Sequence, residues 1–248
     1  MGMLDKVQIT RRICPVIFLL DTSGSMDGAP IGAVDSAMEN VIPELASMNE
    51  KNSDNELQFA VLTFDNEARW ITGNELVPPK DYQWSPLYAY GMTSMGEAFR
   101  ELNKALSTKG AGFMKHASGS VAPVLFLLSD GEPTDDYQHN LQILKNNGWY
   151  KVAARVAVGY GDSNDNILRE FTGNSETVLH TDNPTDLTKM IRFVTITSSQ
   201  VASSGNAAIA PQGNSAAIDP DDNTGKVADA INGLNGLNAP MDDDGFTF

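Results

Sequence analysis

Three short stretches carry hydroxyl and carboxylate oxygens at spacings that suit a hard cation. The first, DTSGS at 21–25, sets Asp21, Ser23 and Ser25 at alternate positions, with Gly24 between the serines. The second, GMTSMG at 91–96, supplies Thr93, and the third, SDGEP at 129–133, supplies Asp130. Alternate residues of a curved loop can turn several side chains inward, and a glycine frees the backbone to make that curve. Carboxylate and hydroxyl oxygens suit Mg2+ first, with Mn2+ or Ca2+ as alternatives. Asp21, Ser23, Ser25, Thr93 and Asp130 are therefore the candidate metal residues. DTSGS alone also fits a polar turn that caps a following helix. Three such stretches in order favour the metal site.

These loops need a frame that brings them together. Apolar runs at 13–20 (ICPVIFLL), 57–64 (LQFAVLTF), 121–129 (VAPVLFLLS) and 152–159 (VAARVAVG) predict strands buried on both faces, as in a parallel sheet. ARWITGNELV (68–77) predicts an antiparallel edge strand in a hairpin turning at Asp65-Asn66, and TVLH (177–180) a short sixth strand. Between the runs, Ile31, Val34, Met38, Val41, Leu45 and Met48 recur at helical spacing after Pro30. Pro43 inside that pattern predicts a kink or a cost of about 3 kcal/mol. Further helices are predicted over 94–107, 135–146, 164–172 and 184–198. The expected fold is α/β: a doubly wound, mostly parallel six-stranded sheet with one antiparallel edge strand. In such a sheet, loops at the carboxyl ends of strands meet at the topological switch point.

Composition narrows the function. Thirty-two acids against seventeen bases give a formal net charge of -15. That excludes nucleic acid and anionic membrane surfaces as natural partners, since both need a basic face. The single cysteine, Cys14, rules out an intrachain disulfide framework and points to a reducing, cytoplasmic setting; it reads as a small buried hydrophobe. No stretch approaches the ~18 apolar residues of a membrane helix. Arg11-Arg12 before ICPVIFLL resembles a signal peptide, but the run is short and no small-residue cleavage site follows. Lys6 also breaks the myristoylation pattern.

The domain organisation expected is an N-terminal extension (1–10), a globular domain (11–203) and an acidic, mostly disordered tail (204–248). The tail is rich in Gly, Asn, Ala, Asp and Pro. Val227, Ile231 and Leu234 have weak helical spacing, but Gly233 and Gly236 oppose a stable helix. DPDDNTG (219–225) lacks the glycine and terminal glutamate of a calcium loop and reads as a flexible acidic segment.

DTSGS, the separate threonine of GMTSMGEA and the strand-end aspartate of FLLSDGEP together resemble the metal-ion-dependent adhesion site of von Willebrand factor A domains, over about 11–200. LDTSGSMDGAPI, LTFDNEARW and FLLSDGEPTDDY are similar to bacterial tellurium-resistance proteins of the TerY type. The resemblance implies direct metal contacts from Ser23, Ser25 and Thr93, and contacts through water from Asp21 and Asp130. It also implies a partner Asp or Glu that completes the octahedron. Neutral hydroxyl ligands leave a dication under-neutralised, which is consistent with recruiting a carboxylate. The implied role is a non-enzymatic binding module in bacterial stress response, beside kinase and phosphatase partners.

The competing reading is a Mg2+-dependent phosphotransferase of the haloacid dehalogenase type. It is disfavoured because Ser23 stands where an acid/base aspartate is needed. Ser94 reads as a helix cap, Asp27 as a loop or cap residue, and Asp135 and Asp136 as acids at the start of their own helix. His116, His139 and His180 lack zinc-ligand spacing. GYGDSN is only a fragment of a dinucleotide fingerprint. Met92 and Met95 suit either adaptable contact or packing of the helix start. MDDDGFTF (241–248) reads as a solvated acidic end, a docking motif, or a source of a carboxylate (Asp242, Asp243 or Asp244) for the open metal position.

Overall fold

A computed structural model describes residues 11–116, 119–203 and 222–235. Six strands form one sheet in the order β3-β2-β1-β4-β5-β6. They are β1 (Arg12–Asp21), β2 (Asn55–Phe64), β3 (Ala68–Trp70), β4 (Val124–Ser129), β5 (Ala154–Tyr160) and β6 (Val178–Thr181). All neighbouring pairs are parallel except β2–β3. The expected doubly wound sheet and its antiparallel edge are therefore present.

The continuous apolar runs are explained by what covers them. Helices α1 (Ala29–Lys51) and α6 (Pro184–Ser203) pack together on one face. On the other, α2 (Met95–Ala105) packs with α3 (Tyr137–Lys145) and α5 (Asp165–Thr172); Phe99 of α2 stacks on Phe171 of α5 at 5.6 Å. A short α4 (Gly148–Val152) precedes β5. Phe18, in the middle of β1, meets Phe59 and Phe126 from both neighbouring strands. Burial on this scale contributes roughly 25 cal/mol per Å2 of apolar surface, which is what selects the fold over local preference.

Pro43 shows that selection at work. Helix α1 continues through it, although proline removes one backbone hydrogen bond. Met38, Val41, Ile42 and Leu45 are all buried around it, so packing offsets the local loss.

Some expectations are corrected. The edge strand is short: β3 ends at Trp70, Ile71 N makes one more bond to Val61 O (2.9 Å), 72–76 leaves the sheet, and Val77 returns, pairing antiparallel with Phe59. Residues before Val124 are outside β4, and Val152 belongs to α4 rather than β5. The larger correction lies in the expected tail, where 222–235 forms a helix, α7 (Asp222–Asn235), against β5 and α6. Val227 and Ile231 are buried there, and that burial outweighs the roughly 1 kcal/mol that a helical glycine costs. DPDDNTG is accordingly not wholly a flexible segment. Asn223 Nδ2 donates to Val152 O (2.7 Å), and Thr224 Oγ1 donates to Ala153 O while accepting from Arg155 N (both 3.2 Å). Residues 1–10, 117–118, 204–221 and 236–248 lie outside the described residues, and with them the N-terminal extension, most of the expected acidic tail and its MDDDGFTF end.

Candidate metal centre

The strand order reverses between β1 and β4, because β1 connects outward to β2 while β4 connects the other way to β5. Asp21 ends β1 and Ser129 ends β4, with Leu20 and Leu128 paired just below. The two loops therefore leave the sheet side by side at the switch point.

Asp21 is fully buried. Its Oδ2 accepts from Ser129 Oγ at 2.6 Å and its Oδ1 from Ser23 N at 2.9 Å. Ser23 Oγ and Ser25 Oγ are 3.1 Å apart, and Ser25 Oγ donates to Asp130 Oδ1 at 2.8 Å. A Cβ built on Gly131 would stand 3.8 Å from both Ser25 Oγ and Thr93 Oγ1. All of the sequence-derived site residues thus converge on one small region. Ser23, Thr93 and Asp130 are buried and Ser25 is exposed, so the cluster opens to solvent on one side.

The second loop is tied to the first by backbone. Gly24 N donates to Gly91 O (3.1 Å), and Tyr90 N to Thr22 O (2.9 Å). Gly91 has φ +79, and a Cβ there would fall 2.5 Å from the Asn66 side chain, so the close approach needs glycine. Asn66 in turn accepts from Met92 N at 3.0 Å. Thr93 N donates to Thr134 Oγ1 (3.2 Å), and Thr134 N donates to Thr93 O (2.9 Å).

Burial raises both carboxylates. The Asp21 carboxyl is pushed up to about 6, mainly by desolvation and slightly by Asp130, against hydrogen bonds from Ser129 and Ser23 that lower it. Asp130 is raised for the same first reason, with Ser25 opposing. Two desolvated acids beside three hydroxyls form an electronegative pocket suited to a small dication. Among the described residues, no group of three or more His, Cys, Asp or Glu could hold a metal. The donor set here combines two acids with neutral hydroxyls.

Positioning residues escaped the sequence reading. Ser129 was visible as the neighbour of Asp130, but its hold on Asp21 required the β1–β4 register. Asp135 was expected at the start of its own helix; instead it caps α2, accepting from Gly96 N (2.8 Å) and Glu97 N (2.9 Å). Ser94 sits at the capping position of α2 but makes no capping side-chain bond. Asp136 does cap its own helix, accepting from His139 N.

Met95 is buried at the start of α2, whereas Met92 is exposed beside the site. Asp27, exposed, closes the 3-10 turn 24–26, whose Met26 is buried. Cys14 is buried and its thiol is pushed up to about 12 by desolvation, consistent with an inert hydrophobe. His180 Nδ1 lies 3.0 Å from Asp165 Oδ1, which raises its pKa. Among the described residues, no helix is long and apolar enough to cross a membrane.

Comparison with known proteins agrees with this fold. The model of the von Willebrand factor type A domain matches residues 16–193. Among solved structures, a von Willebrand factor type A protein from Catenulispora acidiphila superposes with TM-score 0.53 at 23% identity, over 75% of this chain and 42% of that one. Proximal thread matrix protein 1 from the mussel byssus, solved with a zinc-occupied MIDAS motif, gives 0.54 at 20%, over 75% and 48%. The ArnB paralog VWA2 from Sulfolobus acidocaldarius gives 0.52 at 17%, over 72% and 44%. The chain spans under half the length of each of these three proteins. With the family model covering most of the sheet and all three oxygen-bearing loops, the chain belongs to the von Willebrand factor type A domain family.

Proposed function

We propose that Asp21, Ser23, Ser25, Thr93 and Asp130 hold a divalent cation, Mg2+ first, and that the chain is a non-enzymatic, metal-dependent protein-binding module. The observation that carries this reading is the convergence of two desolvated carboxylates and three hydroxyls at the switch point, open on the Ser25 side. When bound, the cation would supply an electrophilic position for an incoming Asp or Glu of a protein partner. The protein's own residues prepare that position. Ser129 and Ser23 N–H orient Asp21, Thr134 fixes the Thr93 backbone, and the Gly24–Gly91 bond holds two loops together. Zinc in the MIDAS motif of the mussel protein supports a divalent ion at the corresponding family site.

The phosphotransferase alternative has a further difficulty. Both oxygens of Asp21 are engaged and the residue is buried, so it is poorly available as a nucleophile. The finer assignment, a cytoplasmic bacterial adaptor of tellurium-resistance stress response acting beside a kinase or phosphatase, rests on the motif resemblance alone.

Thermal unfolding with Mg2+ or Mn2+ tests the site. Saturation at about 100 Kd should stabilise wild type by about 2.7 kcal/mol, and Ser23→Ala should abolish that shift together with metal-dependent capture of an acidic partner. Equal metal responses in wild type and Ser23→Ala would overturn the assignment. Asp21-dependent phosphatase turnover would replace it with the enzyme reading.

A further inference from the structure

The run LTFDNEARW (62–70) supplies none of the candidate metal residues, yet its turn meets the loop that carries Thr93. Asp21, Ser23, Ser25 and Asp130 lie at or just beyond the ends of β1 and β4, so the pairing of those strands sets them. Thr93 has no such support. Residues 82–94, between the 3-10 turn 79–81 and α2, form neither helix nor strand. Contacts from neighbouring loops must therefore place its side chain.

Those contacts alternate along the chain. Thr93 N donates to Thr134, in the loop after β4. The N–H groups on either side of it go to the β2–β3 turn instead: Met92 N to Asn66 Oδ1 (3.0 Å) and Ser94 N to Asp65 O (2.9 Å). Arg69 donates to Tyr90 Oη, lies over its ring at 5.6 Å, and pairs with Asp65. Tyr90 N in turn donates to Thr22 O, in the loop after β1. The turn thus grips positions 90, 92 and 94 around Thr93. It is itself braced, since Asp65 is buried, its N donates to Glu67 O (3.0 Å) and its Oδ1 accepts from Glu67 N (3.3 Å).

Resting on the metal-site reading, we propose that Asn66 and Arg69 are positioning residues of the metal centre, which hold Thr93 in place for its Oγ1 to meet the cation without touching the cation themselves. Both are exposed, and exposed polar pairs contribute little to global stability. Their side-chain bonds go to Met92, Tyr90 and Asp65, so their effect falls on the Thr93 loop. A loop placed beforehand loses less entropy when the ligand binds. The sign of the effect identifies the role. Arg69 is a cation beside a site for cations, so Coulomb repulsion alone would make its removal tighten Mg2+ binding. Loss of positioning would weaken it.

Calorimetric titration of the full chain with Mg2+ alone, paired with urea denaturation in EDTA, tests the inference. Asn66→Ala and Arg69→Met should each weaken Mg2+ binding about 10-fold. Tyr90→Phe, which keeps the ring and removes one hydroxyl, should weaken it about 3-fold. Urea midpoints in EDTA should stay at the wild-type value. Wild type that binds Mg2+ while Asn66→Ala or Arg69→Met binds it equally or more tightly overturns the inference and leaves the metal site standing. Weaker Mg2+ binding that comes with a lowered urea midpoint in all three variants shows a structural role alone, and also overturns it. Wild type that binds no Mg2+ overturns the metal-site reading and the positioning role with it.

Discussion

The two ends of the sheet each bury a charge, and they treat it differently. At the starts of the strands, Arg155 is 4% exposed. It donates to the carbonyls of Thr172 (2.7 Å), Tyr150 (2.7 Å) and Lys151 (3.3 Å), and packs over the Tyr150 ring at 5.0 Å. At the carboxyl ends, Asp21 is held by a hydroxyl and an N–H and lies near a second acid, Asp130. Arg155 ties α4, β5 and the end of α5 together. Asp21 carries a desolvation penalty that a bound cation would relieve. A buried charge can therefore be a structural fastener or a prepared binding position, and its partners distinguish the two.

Breaking the fastener should have the largest effect. Arg155→Met should destabilise by about 4 kcal/mol, since several buried carbonyls lose their donor at about 1–3 kcal/mol each. Urea denaturation measures this, and a loss below about 1 kcal/mol would end the contrast between the two ends.

The prepared position should respond in the opposite direction. An acid whose pKa is raised by folding holds its proton more tightly in the folded protein. In metal-free protein, the Asp21 contribution is therefore most favourable below the ordinary value of 3.8 and declines as pH rises through about 6. The shift of about two units corresponds to an upper limit near 3 kcal/mol. Asp21→Asn should remove that decline and stabilise the metal-free chain by about 2 kcal/mol at neutral pH, while losing the metal response. Stability curves of both proteins against pH, in chelator, check the sign; a variant less stable than wild type at neutral pH would place Asp21 with the fasteners.

The smallest effect should come from the helix that closes the fastened end. Thr224→Val keeps the shape but removes both bonds to Ala153 and Arg155, at an expected cost of about 1 kcal/mol. Faster amide exchange across 222–235, with the metal response unchanged, would sharpen the separation of the two ends.

The candidate metal residues were legible because Asp21, Ser23, Ser25 and Asp130 sit where an apolar run gives way to small oxygen-bearing side chains, and Thr93 just before a helix. Burial and backbone curvature constrain such places locally. Arg155 also left a trace, a lone charge inside VAARVAVG, but nothing in that run says that its partners are carbonyls from α4 and α5. Helix α7 leaves a trace as spacing at Val227 and Ile231, against which Gly233 argues locally. Its docking on β5, through Asn223 and Thr224, outweighs a local propensity of roughly 1 kcal/mol. By sequence Asp135 belongs to the nearer helix, because the approach of α2 is a matter of tertiary packing.

By itself the sequence determined the alternation of strands and helices, the antiparallel edge and the three oxygen-bearing loops, since these follow from apolar period and local residue chemistry. Tertiary structure alone decided that Ser129 grips Asp21, that Asp135 caps a helix not its own, and that 222–235 joins the domain. Each of those depends on register or packing between segments far apart in the chain, where no local pattern records which group will arrive.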